Sequence, residues 1–235
     1  MKKFILIILL LLLIVVGAGW FFLPKVLESS LQSYLKQEVP MQKVTVSVLN
    51  ANPLQLLSGN IAEVKATGEK VLLDKMTYDK VDIHLQDLSF KVGDLFLHQR
   101  FTPTYIGGGQ MLATLTEDEL QTYIQKEMKH IDHVRVHIDT RQVNVSGDVD
   151  IAGLLKGNLQ ILGQVLIDDN KLVVMPEGLR FNNTGISGLG APLMTKIEVY
   201  DFRKFPIPVK ATGVQLEEGK VTVTANPVPG ALNVK

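Results

Sequence analysis

Residues 109–130 read GQMLATLTEDELQTYIQKEMKH, and they break the pattern on either side of them. Downstream of residue 40 the chain mostly alternates apolar and polar residues, the period of two that a half-buried strand requires. From Thr116 the period changes. Thr116 followed by Glu119 is the T-x-x-E spacing of a reciprocal capping box, and Glu117, Asp118 and Glu119 suit the positive end of a helix dipole. Leu120, Tyr123, Ile124 and Met128 then fall on one stripe, with Gln121, Gln125, Lys126 and Lys129 opposite. This predicts one amphipathic helix over 116–130 inside a chain of strands.

Strands flank it on both sides. KVTVSVL at 43–49 places Val44, Val46 and Val48 on one face, and 78–90 (YDKVDIHLQDLSF) does the same with Val81, Ile83 and Leu85. The run 61–71 is interrupted by A-T-G-E-K, which predicts a bend or bulge at Gly68. After the helix, HVRVHID puts Val134, Val136 and Ile138 on one side, and QVNVSGDVDI follows. Two hairpins are expected, one turning at Asp169-Asn170 and one at Glu218-Gly219. Residues 181–193 read as a Gly- and Asn-rich loop, 194–202 as either a short helix or a strand, and 227–235 as a loose tail. An earlier helix is expected over 27–38, with apolar residues at 27, 31, 34 and 35 and Pro40 as its stop. The sum is an α+β fold with a mainly antiparallel sheet over 25–226. A helix of about 14 residues cannot cover six or more strands that are apolar on one face. Either the sheet curls on itself or an apolar face is left for something else to fill.

The N-terminus carries the strongest single signal. Phe4 to Leu23 is twenty apolar or small residues without a charge, about 30 Å as a helix and enough to cross a bilayer. That length exceeds the apolar core of a cleaved signal peptide, so residues 1–24 read as an uncleaved signal anchor. Lys2 and Lys3 place the N-terminus in the cytoplasm, and Trp20, Phe21 and Phe22 stand where an outer aromatic belt belongs. The expected location is the cytoplasmic (inner) membrane, single-pass, with the bulk of the chain extracytoplasmic or periplasmic. The whole chain is formally neutral; beyond residue 23 it carries 22 basic and 24 acidic residues, so no basic footprint points to nucleic acid.

Chemistry is sparse. The absence of cysteine excludes disulfides, cysteine-ligated metal centres and thiol catalysis. His133 and His137, four apart on a strand, are separated by roughly 13 Å, too far for one metal ion. His84, His98 and His130 read as solvated polar-face residues. No G-x-S-x-G occurs, and Gly107-Gly108-Gly109 lacks the Lys-Ser/Thr of a phosphate loop. Those glycines fit a close passage of backbone or a turn. Acidic pairs sit at turns or the helix start for local reasons. No enzyme, no cofactor and no metal site is expected.

The segments LATLTEDELQTYIQKE, VRVHIDTRQVNVSGDVDI and LQILGQVLIDDNKLVV, with VDIHLQDL at 81–88 and ATLTEDEL at 113–120, resemble the LmeA-like phospholipid-binding family over roughly residues 25–226. The resemblance implies a fold like the tubular lipid-binding proteins: a curved, mainly antiparallel sheet wrapped on a central helix, with an apolar groove between them. It also implies an extracytoplasmic role in the bacterial cell envelope, with a phospholipid or other acyl-chain lipid and the membrane as partners. Family members often carry asparagine after the helix-opening leucine, where this chain has Gln121. The family transfers no polar ligand set; the apolar stripe of Leu120, Tyr123, Ile124 and Met128 is the expected wall of the groove. A non-catalytic envelope adaptor that binds a protein through the same sheet is the other function this pattern allows.

Overall fold

A computed structural model describes residues 22–50, 52–127, 131–151, 155–182, 184–185, 196–205 and 207–232. The alternating segments form two antiparallel sheets. The first has the order β1-β2-β3-β4-β12-β11, built from β1 (Lys43–Leu49), β2 (Asn60–Leu73), β3 (Met76–Phe90), β4 (Pro103–Thr116), β11 (Val209–Glu217) and β12 (Lys220–Pro227). The second has the order β10-β8-β7-β6-β5, from β5 (Ile131–Ile138), β6 (Val143–Ile151), β7 (Leu155–Asp168), β8 (Lys171–Phe181) and β10 (Ile197–Asp201). Short β9 (Thr184–Gly185) pairs with β8, and β13 (Gly230–Ala231) with β4. The helices are α1 (22–38), α2 (Pro53–Leu57), α3 (Val92–His98) and α4 (Glu117–Glu127). The expected anchor over Phe4–Leu23 lies outside the described residues except for Phe22 and Leu23, which are helical. No helix among the described residues is long and apolar enough to cross a membrane.

Both predicted hairpins form. Asp169 and Asn170 have φ of 47° and 59°, the paired left-handed geometry that matches strand twist in a two-residue turn. Asn170 also joins the sheets: its side chain donates to the Val209 carbonyl and accepts from the Ala211 N–H, fastening the second sheet to β11 of the first. The segment 194–202 contains strand β10 and then enters a 3-10 turn at Phe202–Lys204. The tail is not loose throughout, because β13 pairs with β4 and Leu232 N–H donates to the Thr104 carbonyl.

Irregularity in β2 falls at Lys70 instead of Gly68. Lys70 has φ 51°, and on β3 Asp87 has φ 51°. The buried positions change phase around both: Val64 and Ala66 give way to Val71 and Leu73, and Val81 gives way to Leu88 and Phe90. Such changes of phase let one strand present apolar residues to two different cores. The first core joins the two sheets and contains Tyr78, Leu115, Ile138, Val143, Leu172 and Val223. The second lies between the first sheet and α1, α2 and α3.

Within the first core the Tyr78 hydroxyl is fully enclosed and has no hydrogen-bond partner among the described residues. Burial, and then the neighbouring Tyr200 and Tyr123, push its ionisation above the ordinary 10.0. The folded state therefore holds this proton above pH 10, where the unfolded chain releases it; the stability it carries is intact below pH 10 and lost as pH rises beyond it. Tyr78→Phe is expected to leave stability at pH 7 unchanged or raised by up to ~1 kcal/mol, and to flatten its fall above pH 10. Urea titrations of both proteins across pH 7–11 measure this.

Candidate functional site

An apolar face of the first sheet is left uncovered by α4, as its length requires, and α1 lies over it. The described part of α1 has 17 residues, about 25 Å at 1.5 Å per residue. Leu23, Leu27 and Leu31 recur every four residues and are buried, while Tyr34 and Leu35 are half-buried. Glu28 accepts a hydrogen bond from the Val48 N–H at 2.9 Å, holding the helix to β1. At the other end the connection is strapped to β2 by Leu72 N–H on the Pro40 carbonyl and Gln42 N–H on the Glu69 carbonyl.

Beneath α1 runs a trough. Its floor is made of Val46 on β1, Val64 and Ala66 on β2, and Val81, Ile83 and Leu85 on β3. Between Val64 and Leu73, both in the lining, the floor covers nine residue steps, roughly 30 Å of strand. Phe101 and Ile106 line it where β3 ends and β4 begins. Gly68 keeps the trough open near Met41: a Cβ there would lie 2.7 Å from Val71 Cγ2 and 3.4 Å from Met41 Sδ. A second glycine sets the backbone path. Gly109 has φ 146° and passes so close to the His84 carbonyl that no side chain fits, so the glycine run serves close approach within β4.

Of the 23 residues around the trough, only Tyr34 and Glu38 carry polar side-chain groups. A lining that is otherwise wholly apolar can take hydrocarbon out of water. Burial, and then Glu38, raise the ionisation of Tyr34, with Arg100 acting in the opposite direction. Tyr34 also packs on Phe101 at 5.8 Å between ring centres, and Phe101 stacks on Phe90 at 5.3 Å. The open volume is about 100 Å³, smaller than the ~150 Å³ cavity that admits benzene.

The stripe on α4 sits elsewhere. Leu120 is buried in the first core, and Tyr123 and Ile124 pack against the same core half-buried; Met128 lies outside the described residues. None of the three described residues lines the trough. The helix starts as expected, but only half of the capping box is present. Glu119 N–H reaches Thr116 Oγ1 at 3.5 Å, while the Glu119 carboxylate binds Lys70 at 2.6 Å. Glu117 is committed to β5, accepting from Ile138 N–H at 2.6 Å and meeting His137 Nδ1 at 3.0 Å. Lys70 is half-exposed and also meets Asp79 at 2.9 Å, but Glu119 is mostly buried, so Lys70→Met, which leaves that carboxylate without its partner, is expected to cost about 1–3 kcal/mol in thermal or urea melts.

Each described histidine meets a carboxylate: His84 with Glu63 at 2.7 Å, His133 with Asp148 at 3.1 Å, His98 with Asp94 at 3.8 Å, and His137 with Glu117 at 3.0 Å and Glu218 at 3.9 Å. No group of three or more His, Asp or Glu side chains able to hold a metal ion occurs among the described residues. The residues that line the trough were visible in the sequence as alternating valines and a leucine-spaced helix. What the sequence lacked was a signal for which helix lies on which strands, since α1 and α4 carry comparable apolar stripes.

In comparison with known families the chain matches the profile described as LmeA-like phospholipid-binding over residues 18–226. No curated protein and no solved structure matches the chain.

Proposed function

The chain belongs to the LmeA-like phospholipid-binding family, and from that premise we propose that it is a membrane-anchored, extracytoplasmic lipid-binding protein of the bacterial cell envelope. It takes an acyl chain of a phospholipid into the trough between α1 and β1–β3. The observation that carries this reading is the lining: a 23-residue apolar wall with two polar side chains, both on α1. Each methylene moved from water onto such a wall contributes about 0.8 kcal/mol. The N-terminal apolar run tethers the domain at its lipid source and raises its effective concentration there. Because the chain is strapped at Glu28 and again at Pro40 and Gln42, with Leu31 to Glu38 over the trough between them, lipid uptake and release proceed through outward movement of that section. The activity is binding, with transfer between bilayers as its use in the envelope.

The test uses the full chain in nanodiscs containing a phospholipid with a diazirine in its acyl chain. Photolysis followed by peptide mass spectrometry is expected to give adducts on trough residues such as Leu31, Val64 and Ile83. Adducts confined to residues 4–23 would contradict the proposal, because lipid would then touch only the anchor. Protein–protein adducts at the trough would favour an adaptor role instead.

A further inference from the structure

Three helices crowd one end of the first sheet. The connections β1–β2 and β3–β4, which carry α2 and α3, leave from the same end, because Asn60 pairs with Ser89 and Phe90 with Pro103. Phe90 N–H donates to the Gly59 carbonyl, and a Cβ on Gly59 would touch Val92, so the end of α2 abuts the start of α3. The N-terminal part of α1 reaches the same end, since Glu28 binds Val48 one residue before β1 stops.

Each helix divides its apolar residues in the same way. Leu27, Leu56 and Leu95 go into the second core. Their neighbours Phe22, Val26, Leu54, Leu57, Phe96 and Leu97 face outward, with Leu54 71% and Leu97 78% exposed. Exposed apolar residues scattered singly are ordinary, but six gathered on adjoining helices form a patch that needs a partner. Lys25, Lys91 and Arg100 are exposed around it and form no ion pair among the described residues. The uncharged run of sequence beginning at Phe4 enters α1 here, at Phe22.

We propose that this end of the domain is a membrane-docking foot: the outward faces of α1, α2 and α3 sit in the interface of an anionic bilayer. The occupant is a bilayer on the reading proposed above, that the uncharged run from Phe4 is a membrane anchor, because that run enters α1 at this patch. Apolar side chains beside Lys25, Lys91 and Arg100, with Asp94 as the acid on α3, match an interface of acyl chains below anionic headgroups. Docking does not depend on what fills the trough.

The chain has no cysteine, so one introduced cysteine gives one labelled site. Full-length protein carrying L54C, L97C, L72C or M175C, labelled with an environment-sensitive fluorophore, is reconstituted into vesicles of phosphatidylcholine and phosphatidylglycerol with or without nitroxide-labelled lipid. Leu72 lies at the opposite end of β2 and Met175 on the second sheet, and both are exposed. Labels at 54 and 97 are expected to be quenched at least threefold more than those at 72 and 175, and still so when Ala66→Phe is added to block the trough. Equal quenching at all four sites overturns the proposal. Loss of quenching at 54 and 97 only in the Ala66→Phe protein also overturns it, because contact would then follow lipid uptake alone.

Discussion

Replacing Ala66 by phenylalanine is expected to weaken phospholipid binding about tenfold or more while leaving the protein folded. Ala66 lies in the middle of the trough floor, paired with Val46 on β1 and Ile83 on β3. It is the smallest side chain on the floor's three central strands apart from Gly68, and the space above it is about 100 Å³. A phenyl ring there takes volume an acyl chain needs. Displacing two methylenes at about 0.8 kcal/mol each removes ~1.6 kcal/mol, a factor of about 15 in affinity. Overpacking costs about 1–3 kcal/mol of stability, which a thermal melt resolves separately from binding. Titration with a fluorescent phospholipid reads the affinity. Undiminished binding by a folded Ala66→Phe protein would mean that the chain sits elsewhere, with the α4 stripe at Tyr123 and Ile124 the next surface to block.

Leu27→Ala should be the most damaging single truncation in α1, at about 2–5 kcal/mol for a fully enclosed leucine. That corresponds to a fall in melting temperature on the order of 5–15 °C for a domain of this size. The same truncation at Leu54, whose side chain is exposed, should change it by less than about 0.5 kcal/mol. The contrast decides whether α1 is part of the folded domain or only a connector to the anchor. If Leu27→Ala melts like the parent, α1 is not docked in solution, and the trough is an open sheet face instead of a covered one.

Much of the architecture can be read from residue order. Alternation identifies Val44, Val46 and Val48, and again Val134, Val136 and Ile138, because a strand between core and solvent has no other economical pattern. Asp169-Asn170 and Gly219 mark their hairpins through the left-handed geometry their turns demand. Long-range pairing is less legible. Nothing local tells Glu119 to bond Lys70 forty-nine residues away instead of returning to Thr116. Nor does a leucine every fourth position tell α1 from α4 as the cover of the trough. The phase changes at Lys70 and Asp87 were hidden for a related reason: a charged residue in left-handed geometry carries no sequence mark, whereas Gly68 looked like one and is needed only for space.

The pairing of β12 with β4 joins Lys220 to Thr116, with the whole second sheet made in between. The first sheet is therefore interrupted in time as well as in sequence. During synthesis, β1 to β4 and the floor of the trough exist well before Phe205, Ile207 and Leu232, which complete its lining, and until the last hairpin arrives β4 presents an unpaired edge. Pairings this distant in sequence form slowly, and open edges recruit strands from other chains. Refolding is expected to show a fast phase for the trough-bearing half and a slow phase set by the return of β11 and β12, with aggregation confined to the interval between them.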